Sequence, residues 1–114
     1  MRVRKELQFR GTAYDDLLGF PADVVKEAGF QLRRVQQGLN PDDWKPMSSI
    51  GAGVREVRLR QSDGTFRVIF VAKFETAVFV LHCFQKKTQK TPARDVELST
   101  KRYRDLVREL KNGQ

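Results

Sequence analysis

The chain has few of the residues that build disulfide, metal or membrane proteins. Its 114 residues include one cysteine, one histidine and one tryptophan. The single thiol, Cys83, has no partner for an internal disulfide, so nothing in the sequence indicates an oxidising compartment. No apolar stretch reaches the roughly 20 residues of a membrane-spanning helix, and no long apolar segment follows the basic N-terminus. We therefore expect a cytoplasmic protein that has no membrane partner.

Positive charge is what the composition has in excess. Lysine and arginine total 22 against 14 aspartate and glutamate, which gives a formal net charge of +8. In a small domain this balance favours a polyanionic partner such as RNA or DNA, although a merely soluble basic protein has the same composition. The length fits one core, and a hydrophobic content of 39% is enough to build it. We predict one domain over residues 1–114.

Hydrophobic spacing predicts a strand, two helices, a meander of three strands and a last helix. The predicted strands cover residues 3–9, 54–60, 65–73 and 77–86, and the predicted helices begin near residues 12, 21 and 93. Asp63 and Gly64 indicate a hairpin turn. Residues 40–53 are predicted to be a loop, in which Trp44 either fills an edge of the core or stacks on a base or partner. The fold class is therefore α+β, with an antiparallel sheet of about four strands and helices packed on it.

Arg67 interrupts the β-branched and aromatic residues of the central predicted strand. A buried arginine without a partner is costly, so Arg67 needs either an ion pair or a water-lined cleft. Glu56 on the neighbouring predicted strand is available for the ion pair. The planar guanidinium is equally suited to a phosphate, and both interpretations stay open.

Three lysines follow the most apolar run of the sequence, 77–84. Lys86, Lys87 and Lys90 lie together at the predicted strand end, just before a helix start that also favours anions. They are either a solvated strand end or a phosphate-binding group, and their close spacing favours the second interpretation.

His82 and Cys83 are neighbours in the same apolar strand. A lone histidine in such a strand is more often a buried residue with a hydrogen-bond partner than a catalyst, but its near-neutral pKa makes proton transfer the alternative. Cys83 is expected to be a small buried filler, because apolar surroundings raise the pKa of a thiol.

Several segments of the chain resemble the phage-derived branch of the RelE/HigB toxins. The resemblance is carried by Gly53–Arg60, Gly64–Phe70 and Leu81–Pro92, and also by 41–47 and the helix 93–110. It implies a RelE-like fold and the toxin of a type II toxin–antitoxin pair, which cleaves mRNA, often on the ribosome. It further implies that the reaction uses neither a metal nor a cofactor and that the gene has a prophage origin. The implied partner is a HigA-like antitoxin with a helix-turn-helix domain.

The resemblance also implies roles for single residues. Arg67 falls where RelE-type toxins hold an arginine against the scissile phosphate. Arg58 and Glu56 fall where RelE has two basic strand residues, so Glu56 departs from that pattern and is either a general base or an ion-pair partner. Lys86 and Lys87 fall near the arginine that follows the last strand of RelE.

We expect metal-independent cleavage, in which the 2′-hydroxyl of the RNA attacks the adjacent phosphate. Such a reaction needs charge stabilisation and a group that takes a proton, for which a lysine with a lowered pKa is a further candidate. A ParE-like inhibitor of DNA gyrase and a non-catalytic nucleic-acid-binding domain are the alternatives. The predicted catalytic residues are Arg67, Lys86, Glu56 and His82, and the predicted phosphate-binding residues are Arg58, Arg60, Lys87 and Lys90.

Overall fold

The computed structural model of the chain describes residues 4–61, 64–87 and 90–113. These residues form an α+β fold, as predicted. The elements in chain order are β1 (Glu6–Phe9), α1 (Ala13–Leu18), α2 (Ala22–Gln36), β2 (Trp44–Pro46), β3 (Val54–Gln61), β4 (Gly64–Val71), β5 (Ala77–Lys86) and α3 (Ala93–Lys111). No helix in the described ranges is long and apolar enough to cross a membrane.

The strands form one mixed sheet in the order β1-β5-β4-β3-β2. β3, β4 and β5 are the predicted antiparallel meander, and β2 adds antiparallel to β3. β1 instead lies parallel to β5. The expectation of an antiparallel sheet with about four strands is therefore wrong, because the sheet has five strands and one parallel pair.

The strand that the sequence analysis missed is β2, which lies in the segment predicted to be a loop. Three residues are too few to show the alternation that marks a strand, and Pro46 argues against one. A proline is nevertheless tolerated on an edge strand, where the backbone N–H is not needed for a second neighbour. Trp44 is half-buried on this edge and does not fill the core.

Helices cover both faces of the sheet. α1 and α2 pack on one face through apolar residues such as Leu17, Val24 and Leu32. α3 packs on the other face through Leu106, together with partly buried residues that include Tyr103. β5 lies between the two layers and is buried at nearly every position, which explains the unbroken apolar run.

β5 contains an irregularity that the sequence analysis did not predict. Ile69 of β4 lies opposite His82, but the next residue, Phe70, lies opposite Val80. Leu81 is therefore an extra residue in β5, as in a β-bulge. Beyond this point every side chain of β5 changes face relative to strict alternation.

The bulge corrects the predicted faces of β5. Strict alternation places Val78 and Val80 on the same face as Phe84 and Lys86. In the structure Val78 and Val80 belong to the core beneath α1 and α2, whereas Phe84 belongs to the core beneath α3. Phe84 lies directly opposite Arg67. The bulge thus brings the charged end of β5 to the face that carries Arg67.

Three predicted features fall partly outside the described residues. Val3 of the first predicted strand lies there, and so do Asp63 of the predicted hairpin turn and Thr88 and Gln89 of the lysine-rich segment. α3 covers the whole predicted range 93–110 and ends one residue beyond it.

The contact between α3 and the loop before β3 is close enough to test by adding a methyl group. A Cβ at Gly51 would overlap a ring carbon of Tyr103, while a Cβ at Gly29 inside α2 would meet nothing within 4 Å. We expect Gly51→Ala to lower the free energy of unfolding by about 1–3 kcal/mol through overpacking. Gly29→Ala should raise it by about 0.5–1 kcal/mol, because alanine is the better helix former. Urea denaturation measures both, and equal stability of Gly51→Ala and the wild type would refute the packing described here.

Candidate active site

A cluster of positive charge lies on the α3 side of the sheet, towards the end where β3 runs into β4. Arg58 lies opposite Arg67, and Lys86 lies opposite Thr65. Residues opposite each other in antiparallel strands share a face. Three strands therefore bring Arg58, Arg67 and Lys86 together, and for Lys86 this depends on the bulge in β5, which the sequence analysis did not predict.

Arg67 is buried and is held by a carboxylate beneath it. Its Nη1 donates to Oε1 of Glu56 at 2.6 Å, and Glu56 has no exposed surface. The hydroxyl of Thr91 donates to Oε2 of Glu56 at 3.1 Å, and Nζ of Lys45 lies 3.8 Å from Oε1. Both carboxylate oxygens are thus occupied by protein partners. Of the two roles left open for Glu56, the geometry supports that of ion-pair partner of Arg67.

The opposite edge of the same guanidinium has a free donor. Nε of Arg67 is buried and has no hydrogen-bond partner among the described residues. Buried donors without a partner are uncommon, and each one needs an explanation. A phosphate oxygen is well matched to a guanidinium, and this is the edge that Glu56 leaves unoccupied.

Lys86 is buried beside the arginines, with 7% of its surface exposed. Burial lowers the pKa of its ammonium group from the ordinary value, and the positive charge of Arg67 lowers it further. The Glu56 carboxylate acts in the opposite direction, while Lys45 and Arg58 add smaller effects of the same sign as Arg67. A lysine of this kind gives up its proton more readily than a solvated one.

His82 is a buried residue with a carboxylate partner. Its Nε2 lies 2.7 Å from Oδ1 of Asp95, and its ring stacks on Phe84 with centroids 5.0 Å apart. Nδ1 is buried without a partner in the described part of the chain. Since Asp95 belongs to the first turn of α3, the contact fastens that helix to the sheet.

The other predicted phosphate-binding residues are more exposed. Arg58 donates to Oδ1 of Asp43 at 2.9 Å, and Nε of Arg60 lies 3.9 Å from the other oxygen of that carboxylate. The side chain of Arg60 is 68% exposed. Lys87 and Lys90 are exposed beyond the end of β5.

Sequence reasoning missed three residues around this cluster: Lys45, Thr91 and Asp43. Lys45 and Asp43 fall in the segment predicted to be a loop, for which no register with β3 was available. Thr91 precedes Pro92, the N-cap of α3, and its contact with Glu56 joins residues 35 positions apart, which no local sequence pattern indicates.

Cys83 lies on the other side of the sheet, next to a separate pocket. That pocket has a volume of about 570 Å³ and is lined by Phe20 and Phe66 among others, but not by Arg67, Glu56 or Lys86. Burial above all, with a smaller effect of Asp16, raises the pKa of the Cys83 thiol to about 12. This agrees with the filler role expected for it.

The fold and the cluster define a small α+β domain with an arginine presented on its central strand. The sequence matches the family model described as Phage derived protein Gp49-like (DUF891) over residues 15–104. The chain therefore belongs to the Gp49-like family of phage-derived proteins, which is a RelE/HigB-like toxin family. No curated protein matches the chain. The matched range includes four of the five segments on which the predicted resemblance was based and most of the fifth, the helix 93–110, so the resemblance is confirmed at the level of the family.

The ion pair beneath the site can be tested by removing the charge of Glu56 while keeping its shape. Glu56→Gln leaves Arg67 buried without its counter-ion, which typically costs about 3–5 kcal/mol. The matched control is Glu109→Gln, because Glu109 pairs with Arg10 but its side chain is 50% exposed. An exposed pair contributes about 0–1 kcal/mol. Urea denaturation at neutral pH should separate the two variants, and similar losses from both would show that Arg67 does not depend on Glu56.

The lowered pKa of Lys86 predicts a pH-dependent stability. In the window between the folded pKa and the ordinary value of 10.5, the unfolded chain binds more protons than the folded one. The free energy of unfolding therefore rises with pH through this window. At pH values below the window Lys86 is charged in the folded protein, and the full free-energy cost of burying that charge applies. We expect the advantage of Lys86→Met over the wild type to be largest near neutral pH and to shrink towards pH 10.5. The exposed Lys26 supplies the control Lys26→Met, and an equal pH profile for both variants would contradict the assignment.

Proposed function

We propose that this protein is the toxin of a type II toxin–antitoxin pair and that it cleaves mRNA at the Arg67 site. The membership in a RelE/HigB-like toxin family supports the class of protein. The observation that carries the site is the buried guanidinium of Arg67, which is fastened on one edge by Glu56 and has an unpartnered Nε on the other. A donor fixed in this way is preorganised for charge that develops on a phosphate.

The proposed reaction uses groups of the RNA and of the protein together with solvent water. The 2′-oxygen loses its proton and forms a bond to the adjacent phosphorus as the bond from phosphorus to the 5′-oxygen breaks. The 5′-oxygen takes up a proton from water, so the products are a 2′,3′-cyclic phosphate and a 5′-hydroxyl. Arg67 donates to a non-bridging oxygen of the phosphorane. The positive charge of Arg67 and its neighbours is the feature that makes a metal unnecessary in this mechanism.

Lys86 is the residue that we propose for proton transfer. A catalytic base works best when its pKa lies near the working pH, and the pKa of Lys86 is shifted in that direction. Glu56 has no exposed surface and both of its oxygens have partners, while Nε2 of His82 already contacts Asp95. We therefore propose that Glu56 and His82 position the site and that Lys86 takes the proton of the 2′-hydroxyl.

Four basic residues beside Arg67 and Lys86 are proposed to hold the flanking phosphates. Arg58 is half-buried, while Arg60, Lys87 and Lys90 are exposed and accessible to a long RNA strand. Binding of this kind weakens as salt rises, because each phosphate contact releases a counter-ion. We also propose that the protein binds mRNA on the ribosome and that its antitoxin is a HigA-like helix-turn-helix protein.

The decisive variant is Arg67→Ala, expressed from an inducible promoter beside the wild type and Arg33→Ala. Arg33 is exposed on α2, away from the cluster, so its loss should leave activity unchanged. We expect wild type and Arg33→Ala to arrest growth and to create new transcript 5′ ends. Loss of one transition-state donor typically reduces a rate by about 10²–10³. Arg67→Ala should therefore neither arrest growth nor create new transcript 5′ ends.

A second variant guards against misfolding, because Arg67→Ala leaves Glu56 buried without its partner. The double variant Glu56→Gln, Arg67→Ala removes both charges and should fold while remaining inactive. Cleavage by either variant would refute the role of Arg67. Growth arrest by the wild type with intact transcripts would refute the nuclease and favour a gyrase-type inhibitor.

A further inference from the structure

Lys45 adds a further cation to the cluster, and the proposed mechanism does not yet use it. It lies in the middle of the edge strand β2, directly opposite Glu56 of β3. Glu56 in turn lies opposite Ile69, which belongs to the core beneath α3. Since residues opposite each other in antiparallel strands share a face, Lys45 lies on the face of the sheet that carries Arg67.

Lys45 and Arg67 meet at a single atom. Nη1 of Arg67 donates to Oε1 of Glu56 at 2.6 Å, and Nζ of Lys45 lies 3.8 Å from that same oxygen. The two cationic groups are therefore no farther apart than these two distances together. Burial and the charge of Arg67 lower the pKa of Lys86 most, and the charge of Lys45 lowers it further, so Lys45 also acts on Lys86.

The exposure of Lys45 distinguishes it from the two residues at the centre of the site. Its side chain is 38% exposed, whereas that of Arg67 is 7% exposed and Lys86 is buried. A phosphate that comes from solvent reaches such an ammonium without any rearrangement of the sheet. Lys45 thus combines contact with the buried ion pair and access from solvent.

The ammonium of Lys45 has donors to spare. A lysine has three N–H donors, and a separation of 3.8 Å is an ion pair that is too long for a hydrogen bond. Within the ranges that the structure describes, Nζ of Lys45 makes no hydrogen bond. Lys45 can therefore donate to a phosphate oxygen while it stays beside Glu56.

The alternative is that Lys45 only offsets the buried charge of Glu56. That carboxylate already accepts hydrogen bonds from Arg67 at one oxygen and from Thr91 at the other. Both of these contacts are shorter than the approach of Lys45. Of the three contacts of Glu56, that of Lys45 is therefore the one that the carboxylate needs least.

We propose that Lys45 is a further catalytic residue, whose ammonium donates to a non-bridging oxygen of the scissile phosphate beside Arg67. This rests on the proposed function, since it concerns the same reaction. A second cation shares the negative charge that gathers on the phosphorane when the 2′-oxygen bonds to phosphorus. Arg67 is a planar fork held in place, whereas Lys45 is a point charge on a flexible stem, so Lys45 can follow the oxygen as the geometry at phosphorus changes.

The test measures binding of two RNAs that differ only in the charge of the scissile phosphate. Both contain a linkage mapped as a cleavage site of the wild type and carry a 2′-deoxy sugar there, which prevents cleavage. One of them has an uncharged methylphosphonate at this linkage. Lys45→Met removes the cation and keeps an apolar stem, and Lys26→Met is the matched control on the exposed surface of α2.

We expect Lys45→Met to weaken binding of the fully charged strand about tenfold and to reduce its salt slope by about one contact. The methylphosphonate strand should bind Lys45→Met and the wild type equally, because the phosphate charge that Lys45 contacts is already absent. Lys26→Met should bind each strand as the wild type does. With unmodified RNA, Lys45→Met should lower kcat by about 10²–10³, and Lys45→Arg should restore much of it.

Two binding results would overturn the assignment of Lys45. Equal weakening of both strands would place the ammonium at another phosphate or in the general field of the protein. Unchanged binding of the charged strand would leave Lys45 with a purely structural role. In both cases cleavage by the wild type shows that the nuclease stands, whereas a wild type that cleaves no RNA overturns the proposed function and this assignment together.

A check of the fold accompanies the binding experiment. Circular dichroism compares Lys45→Met with the wild type. Lys45→Gln, which keeps a polar group opposite Glu56, takes its place if methionine unfolds the chain, and the same binding pattern is expected of it.

Discussion

The candidate site depends on the burial of one carboxylate. Glu56 has no exposed surface, and a charge removed from water in this way requires compensation from every side. Arg67, Thr91 and Lys45 provide it from three different elements of the fold. The same interactions prevent the guanidinium from swinging towards solvent. A rigid arginine needs little reorganisation when a phosphate approaches, which is the condition for strong electrostatic stabilisation.

The second constraint is the extra residue in β5. Without Leu81 the strand would alternate without interruption, and Phe84 and Lys86 would lie beneath α1 and α2. Lysine would then be buried in an apolar layer, at a considerable energetic cost. The bulge moves it to the face on which Arg67 and Arg58 lie. Bulges are common beside functional sites because they redirect side chains in this way.

Much of the fold could be predicted because its patterns are long. The meander and α3 extend over many residues, and their apolar spacing is regular enough to place their ends closely. β2 and the bulge could not be predicted, since a strand of three residues and a single inserted residue leave almost no periodic pattern. β2 depends on its pairing with β3, and the bulge depends on the pairing of β5 with β4. Neither pairing can be read from the local sequence.

The candidate site, like the fold, could be predicted from the sequence only in part. Arg67 was recognisable because a charge within an apolar strand demands a partner. Whether Glu56 is that partner or a base depends on burial and on Thr91, neither of which a sequence displays. Lys45 was missed for a related reason, because its neighbour across the sheet was unknown. The motif resemblance succeeded at the level of the family, since it rested on several segments instead of one residue.

The parallel pair at the edge of the sheet has a consequence for the order in which the molecule is assembled. Glu6 lies opposite Ala77, so the first strand finds its neighbour only after the helices and most of the meander have been made. β1 and β5 are distant in sequence, and contacts between distant segments form more slowly than those between neighbouring strands, because a longer loop must close first. The hairpins of the meander are therefore expected to form before β1 joins them. The sheet that supports Arg67 is complete only when this slowest pair has closed.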